Sequence, residues 1–540
     1  MIRERVASEP REVAVCGTLA LGLSAFMVLA LPRGGDLAAH LYRTSLVQHG
    51  ILVWDNLWFA GQYPLSSYSL LYYPLATLFG NAALGIGGVV LAAAIFASVA
   101  LREWRNLGRW PARAFAVLLA GQAFTAAYPY DMGLAALLGT VWALQRRKTW
   151  VAVCCTLLTL GFSPLAFLFL ALALLALFLW RRRLSRQTFV VMGALALAAG
   201  VQLALLELLP SPGIVYPYGF WRLIAGLALC AAGVALSLSG RAGWPIASIF
   251  LIWAIASVVT SIVPSPVGHN LIRADVFVVP LMLVAAARAE FRPRWLAVAG
   301  IAGALAANVG PYLAMIPDRS SGIAATAAYW RPVLRFLREH DSPAFRVEVV
   351  PTANHWEAYY IPHAGFALAR GWYRQLDIAD DAALYAPTLT AASYRDWLRG
   401  RAVRFVVLPN LPLEAIDGKR EASVLRSPGS GLTVVRRTAN ATIYELPHAT
   451  PLLTGPAPAT ITSMQSSRFS GYVATPGTYL LRTRYSPYWS VTRGSLCVAR
   501  ARSAMTLLRI SHAGAFTIQA TETPGGVIAD LLDRDSRRCR

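Results

Sequence analysis

Long apolar runs broken by short polar joints fill the first 316 residues, and a polar, Gly- and Pro-punctuated pattern fills the rest. The apolar runs fall near 13–31, 80–101, 113–128, 130–145, 149–162, 164–180, 188–210, 219–239, 244–263, 270–288 and 295–316. Each comes close to the length that crosses roughly 30 Å of hydrocarbon, which predicts about 11 spans. One long polar, aromatic-rich stretch interrupts them, residues 32–79. After Gly34-Gly35 the pattern from Leu37 to Gln48 predicts a helix with Asp36, His40 and Arg43 recurring on one face.

Beyond about residue 318 the periodicity changes. Helices are predicted at Trp330–His340, Ala391–Arg399 and 412–425, and strands at Phe345–Val350, Val403–Leu408, 432–436 and 441–446. That alternation reads as an extracytoplasmic α/β domain over 318–447. Short alternating strands then follow between Gly and Pro turns, including Thr478–Arg484 and Ala515–Ile518, the pattern of a β-sandwich over 448–530. Residues 531–540, rich in Asp and Arg, read as a disordered tail.

Composition agrees with a polytopic membrane protein: 56% of residues are hydrophobic, 14% are charged, and mean hydropathy is +0.50. The net charge of +22 would suggest nucleic acid in a soluble protein. Here the orientation rule accounts for much of it. With the N-terminus inside, eighteen basic residues collect in the cytoplasmic loops, from Arg3, Arg5 and Arg11 to Arg288, Arg292 and Arg294. The opposite loops hold Arg33, Arg43 and Arg273. The expectation is a cytoplasmic N-terminus, an extracytoplasmic C-terminal half and a retained anchor at Val13–Leu31, in a bacterial inner membrane. Cys16, Cys154, Cys155 and Cys230 lie in apolar runs, whereas Cys497 and Cys539 lie in the polar half and could pair outside the cytoplasm.

This topology sends the non-basic ionisable groups outward, and the candidate chemistry with them. Asp36 is either the N-cap of its helix or a base for a hydroxyl nucleophile. Asp131, after Tyr128-Pro129-Tyr130, has the same two readings. His40 could orient Asp36 or bind phosphate. Arg273 breaks the inside bias at the outer start of a span, where a lipid phosphate would lie, and His269 and Asn270 accompany it. The alternative for Arg273 is a snorkelling side chain. Trp54 and Trp58 read as interfacial belt residues or sugar contacts, and Trp372, Tyr373 and Arg374 as glycan contacts or domain core. His355 and Glu357 lack the spacing of a zinc motif.

Gly34-Gly35-Asp36 with His40 after the first span, and an outward C-terminal half, resemble the GT-C superfamily of polytopic glycosyltransferases. Further motifs look like those of bacterial membrane proteins labelled 6-pyruvoyl-tetrahydropterin-synthase-related. They are Gly268-His269-Asn270 with Arg273, Ala369-Arg370-Gly371-Trp372, Val403 to Pro409, and Tyr485-Ser486-Pro487-Tyr488-Trp489 with Cys497. The resemblance implies transfer of a sugar from a polyprenyl-phosphate carrier to an envelope glycan, lipid or protein, with Asp36 catalytic. Many such enzymes carry paired acids at that position, whereas Asp36 precedes Leu37, which leaves a divalent metal open. A precursor flippase and a non-catalytic glycan-binding assembly protein are the rival readings, and no nucleotide-binding glycine motif is present.

Overall fold

The computed structural model describes the chain apart from residues 1, 32–33, 66–67, 181–184, 211–214, 240–242, 289–293, 316–319, 533–538 and 540. Arg33, Arg181, Arg182, Arg183, Arg241 and Arg292, and most of the tail expected to be disordered, lie outside the described residues. The chain divides into two compact units. The first comprises residues 1–34, 68–208 and 214–319, and the second comprises 35–67, 209–213 and 320–540. The polar stretch after the first apolar run therefore folds with the C-terminal half.

In chain order the helices begin with α1 (Ile2–Leu29), α2 (Leu37–Gln48), α3 (Tyr72–Phe79) and α4 (Asn81–Trp104). They continue as α5 (Arg109–Gln122), α6 (Tyr128–Gln145), α7 (Thr149–Phe162), α8 (Pro164–Trp180) and α9 (Arg186–Leu208). Then come α10 (Phe220–Leu238), α11 (Gly243–Ile262), a 3-10 segment (Gly268–Phe277), α12 (Val278–Arg288) and α13 (Arg294–Met315). All but α2 belong to the first unit.

Among the described residues, six helical segments are long and apolar enough to cross a membrane. They are Glu9–Leu29, Asn81–Thr125, Arg186–Leu208, Phe220–Leu238, Gly243–Ile262 and Gly268–Arg288. The expected count of about 11 is thus not met. Thr149–Phe162, Pro164–Leu179 and Arg294–Gly310 are apolar but shorter. At about 1.5 Å per residue, a helix of fourteen residues such as α7 falls short of the hydrocarbon thickness. The run read as a span at 113–128 is split by the turn between α5 and α6.

Small residues draw this unit together. A Cβ on Gly85 would lie 2.4 Å from the Tyr128 ring, and one on Gly88 would lie 3.0 Å from the Met132 amide nitrogen, so α4 packs directly on the start of α6. Elsewhere in the unit, Glu12 accepts from Arg113 at 2.8 and 3.1 Å, and Glu9 pairs with Arg146 at 2.5 Å. These ion pairs join α1 to the arginines of α5 and of the α6–α7 turn.

The second unit adds α14 (Ser320–Ala324), α15 (Ala327–His340), α16 (Glu357–His363), α17 (Arg374–Asp380), α18 (Ala382–Tyr385), α19 (Ala391–Gly400) and α20 (Asp417–Arg426). Strands β1 (Arg346–Val349), β2 (Val403–Pro409), β3 (Thr433–Arg437) and β4 (Ala441–Glu445) form a mixed sheet in the order β1-β2-β4-β3. β1 and β2 are parallel, joined by the helical crossover through α16 to α19. The remaining strands are short and alternate in burial: β5 (Leu453–Thr454), β6 (Ala459–Gln465), β7 (Arg468–Val473) and β8 (Gly477–Arg484), then β9 (Trp489–Arg493), β10 (Leu496–Arg500), β11 (Met505–Ile510) and β12 (Gly514–Ala520). They make two four-stranded antiparallel sheets, β10-β11-β8-β5 and β6-β7-β12-β9, whose inward residues Phe469, Tyr479, Leu481, Leu508 and Phe516 share one core. Cys497 and Cys539 are joined as a disulfide.

Residues 35–67 are built into this unit by their aromatic side chains. Trp58 is fully buried and donates its indole N–H to the Ala358 carbonyl at 3.1 Å. Trp54 lies edge-on to Tyr63 and Trp489. Both tryptophans are core, which corrects their reading as belt residues or sugar contacts: 1% and 0% exposure leaves no face for a ligand. Asp55 is buried as well, accepting from the Tyr42 hydroxyl at 3.0 Å and the Leu57 amide at 3.2 Å, and burial pushes its carboxyl up to about 6. The Glu522 carboxylate receives the backbone amides of Leu52 and Val53, each at 2.7 Å, and that of Trp54 at 3.3 Å.

Candidate functional site

Asp36 stands immediately before α2, and its carboxylate makes no capping hydrogen bond to that helix. Its backbone is helical there (φ −74°, ψ −14°), so the side chain is not in the geometry that reaches the first amides. Instead Oδ1 accepts the indole N–H of Trp372 at 3.3 Å. Of the three residues expected on this helix face, only Asp36 retains partial exposure. His40 and Arg43 are 2% and 0% exposed, turned into the protein rather than toward an open surface. Arg43 donates to the Pro64 carbonyl at 2.6 Å and sits 4.3 Å from the Tyr373 ring centroid.

Trp372 connects Asp36 to a second set of groups. Its ring stacks on the His355 imidazole, with centroids 3.2 Å apart and an angle of 11° between planes. The Arg374 guanidinium lies 5.4 Å from the Trp372 ring and pairs with Glu414 at 2.6 Å. His355 Nδ1 lies 3.3 Å from Glu357 Oε1, and Nε2 lies 3.9 Å from Glu414 Oε2. Gly371 keeps the segment close to α2's neighbours, since a Cβ there would meet the Trp58 ring at 2.5 Å. The structure thus brings together Asp36, Trp372, Tyr373 and Arg374 from the expected residues, and adds His355, Glu357 and Glu414. Glu414 gave no sequence signal, because its partners lie forty to sixty residues away.

Behind this site lies a buried ionic knot that the sequence did not announce. Arg370 donates through Nε and Nη2 to Glu348 at 2.9 and 2.7 Å, through Nη1 to Asp417 at 2.9 Å, and through Nη2 to Glu421 at 2.7 Å. Asp377 is 3.5 Å away. Burial pushes the carboxyls of Glu348, Asp377 and Glu421 above the usual range, against the pull of Arg370. Arg401 in turn pairs with Asp381 at 2.5 Å and Asp380 at 2.8 Å.

The first unit carries the other expected residues. Asp131 lies in the first turn of α6, fully buried, and neither carboxylate oxygen has a hydrogen-bond partner among the described residues. The cap reading fails, because Ala127 occupies the cap position. Arg273 is the charge that acts on this carboxylate. Its guanidinium lies 5.7 Å from the Tyr130 ring, and its backbone carbonyl accepts from Tyr130 Oη at 3.2 Å and Gln122 Nε2 at 3.0 Å. Asp131 and Arg273, singled out separately in the sequence, are therefore neighbours. His269 and Asn270 share the 3-10 segment, but His269 packs on Tyr216 and Asn270 donates to the Pro266 carbonyl at 3.0 Å.

Among the described residues, no three His, Cys, Asp or Glu side chains form a group able to hold a metal ion, so a divalent ion of the kind a GT-C resemblance would allow finds no donor set there. No protein-family model matches the chain, and no curated protein matches it. The resemblance to GT-C enzymes therefore rests on the quoted residues.

Proposed function

We propose that the chain is an integral membrane glycosyltransferase of the GT-C type. It moves a sugar from a polyprenyl-phosphate carrier to an envelope acceptor on the extracytoplasmic face. The observation that carries this reading is Asp36: a partly exposed carboxylate, free of capping duty, held by an indole N–H beside a set of polar and aromatic side chains. In the reaction, the acceptor hydroxyl oxygen bonds to the anomeric carbon as the bond from that carbon to the phosphate oxygen breaks. The electron pair leaves with polyprenyl phosphate, and the hydroxyl proton passes to Asp36. Arg273 supplies the fixed positive charge for the phosphate, and Asp131 beside it holds that guanidinium in place.

The outward orientation draws support from the arginine bias of the loops and from the Cys497–Cys539 bridge, which suits an oxidising compartment. The N-terminus is then cytoplasmic, in the bacterial inner membrane. The test is full-length protein in liposomes, supplied with a panel of radiolabelled polyprenyl-phosphate sugars and envelope acceptors. Label appearing in acceptor, with one polyprenyl phosphate released per sugar, is the expected result. Label crossing the bilayer without a new bond would turn the reading to a flippase. Neither event with any donor would leave a non-catalytic assembly protein.

A further inference from the structure

We infer that the second unit holds a saccharide-binding subsite in the cleft beside His355, with His355 Nε2 as its central hydrogen-bonding atom. The cleft is lined by Glu348, Pro351, His355, Glu357, Leu368 and Arg370, among others. Its polar members are each nine-tenths or more buried. His355 Nε2 is a buried atom with no hydrogen-bond partner among the described residues, and such an atom is costly unless something completes it.

Three features fix the imidazole in this position. Thr352 donates its amide and hydroxyl to Glu357, at 3.2 and 2.7 Å, which holds the carboxylate that faces His355 Nδ1. Glu357 thereby selects the tautomer with the proton on Nδ1, leaving Nε2 as an acceptor. Trp372 stacks flat on the ring. The backbone of His355 is left-handed, φ 51°, a strained conformation for a residue with a Cβ and one that clusters at ligand sites.

The surroundings choose the ligand class. Glu348, Glu357 and nearby Glu414 disfavour an anion, and no metal donor group is present among the described residues. A hydroxyl group suits the geometry. An oxygen about 2.8 Å from both Nε2 and Glu414 Oε2 subtends roughly 90° across their separation, which a group that both donates and accepts can satisfy. Pro351 and Leu368 supply the apolar wall against which sugar C–H faces pack. This subsite does not depend on transfer, and a glycan-binding protein without transferase activity would use it equally.

The test is binding without any lipid-linked donor. Full-length protein in lipid nanodiscs is titrated by calorimetry with glucose, galactose, mannose, arabinose, glucosamine, N-acetylglucosamine and their disaccharides. His355→Asn, which tolerates the left-handed backbone, and His355→Gln, which restores an acceptor, are titrated alongside, with thermal melts as folding controls. The expected result is binding of at least one saccharide, weakened on the order of tenfold in H355N and partly recovered in H355Q. No binding by the wild type, or equal binding by wild type and both folded variants, overturns the inference. Saccharide binding lost in H355N, in a protein that transfers nothing, would sustain this subsite and sink the transferase.

Discussion

Arg370→Met replaces a guanidinium held among four buried carboxylates by an apolar chain of similar length. Four hydrogen bonds of 2.7–2.9 Å to Glu348, Asp417 and Glu421 are lost, together with the attraction to Asp377 at 3.5 Å. Removing one side of a buried ion pair costs about 3–5 kcal/mol, and a chain of this size converts that into a melting point lower by on the order of 10 °C. The carboxyls of Glu348, Asp377 and Glu421 are already pushed upward by burial, and Arg370 is the group that opposes it. An acid raised in the folded state contributes stability below its unfolded value, and this is lost as pH rises through the folded one. Without Arg370 the three rise further, so the variant's deficit is greatest at neutral pH and shrinks toward pH ~5 as they take up protons. Thermal melts of full-length protein in detergent at several pH values, followed by tryptophan emission, measure this. Equal melting points at neutral pH, or a deficit that grows in acid, would refute the reasoning.

Glu522 invites a related measurement. Burial pushes its carboxyl up to about 7, so its contribution is present near pH ~4 and falls as pH rises through 7. Glu522→Gln should flatten that part of the stability–pH profile, whereas Glu522→Ala, which orphans the amides of Leu52, Val53 and Trp54, should cost about 1–3 kcal/mol in the same melts. Cys539→Ser should free the Cys497 thiol, which a membrane-impermeant maleimide then labels in intact spheroplasts. Labelling only after lysis would reverse the proposed orientation. Arg273→Lys should weaken donor binding by about tenfold, because an ammonium cannot make the paired contacts of a guanidinium with phosphate. Unchanged donor affinity in a flotation assay would remove Arg273 from that role.

Much of the second unit was legible because its signals are local. The helix predicted from Leu37 to Gln48 spans those residues, and the strand at Val403–Leu408 differs by one residue. Asp131 and Arg273 were also legible, as exceptions to the charge asymmetry, although their proximity was not. The ionic knot escaped because Glu348, Arg370, Asp377, Asp417 and Glu421 come from β1, α17, α20 and the loop before Trp372, with no spacing in common. Trp54 and Trp58 misled for a different reason. Aromatic density beside an apolar run looks the same whether the rings meet headgroups or a folded core, and only the long-range partners Trp489 and Ala358 decide it. The span count failed where apolar runs of fourteen to seventeen residues resemble spans in hydropathy but not in length.

Sugar transfer by the wild type and by Asp36→Asn, measured side by side in liposomes with the same lipid-linked donor and acceptor, tests the central claim most directly. Asparagine preserves the shape of the side chain and can still accept the Trp372 N–H, but it cannot take up the hydroxyl proton. The account predicts transfer by the wild type and a loss of at least ~100-fold in the variant, with donor binding and melting point unchanged. Equal transfer by the two proteins would contradict it.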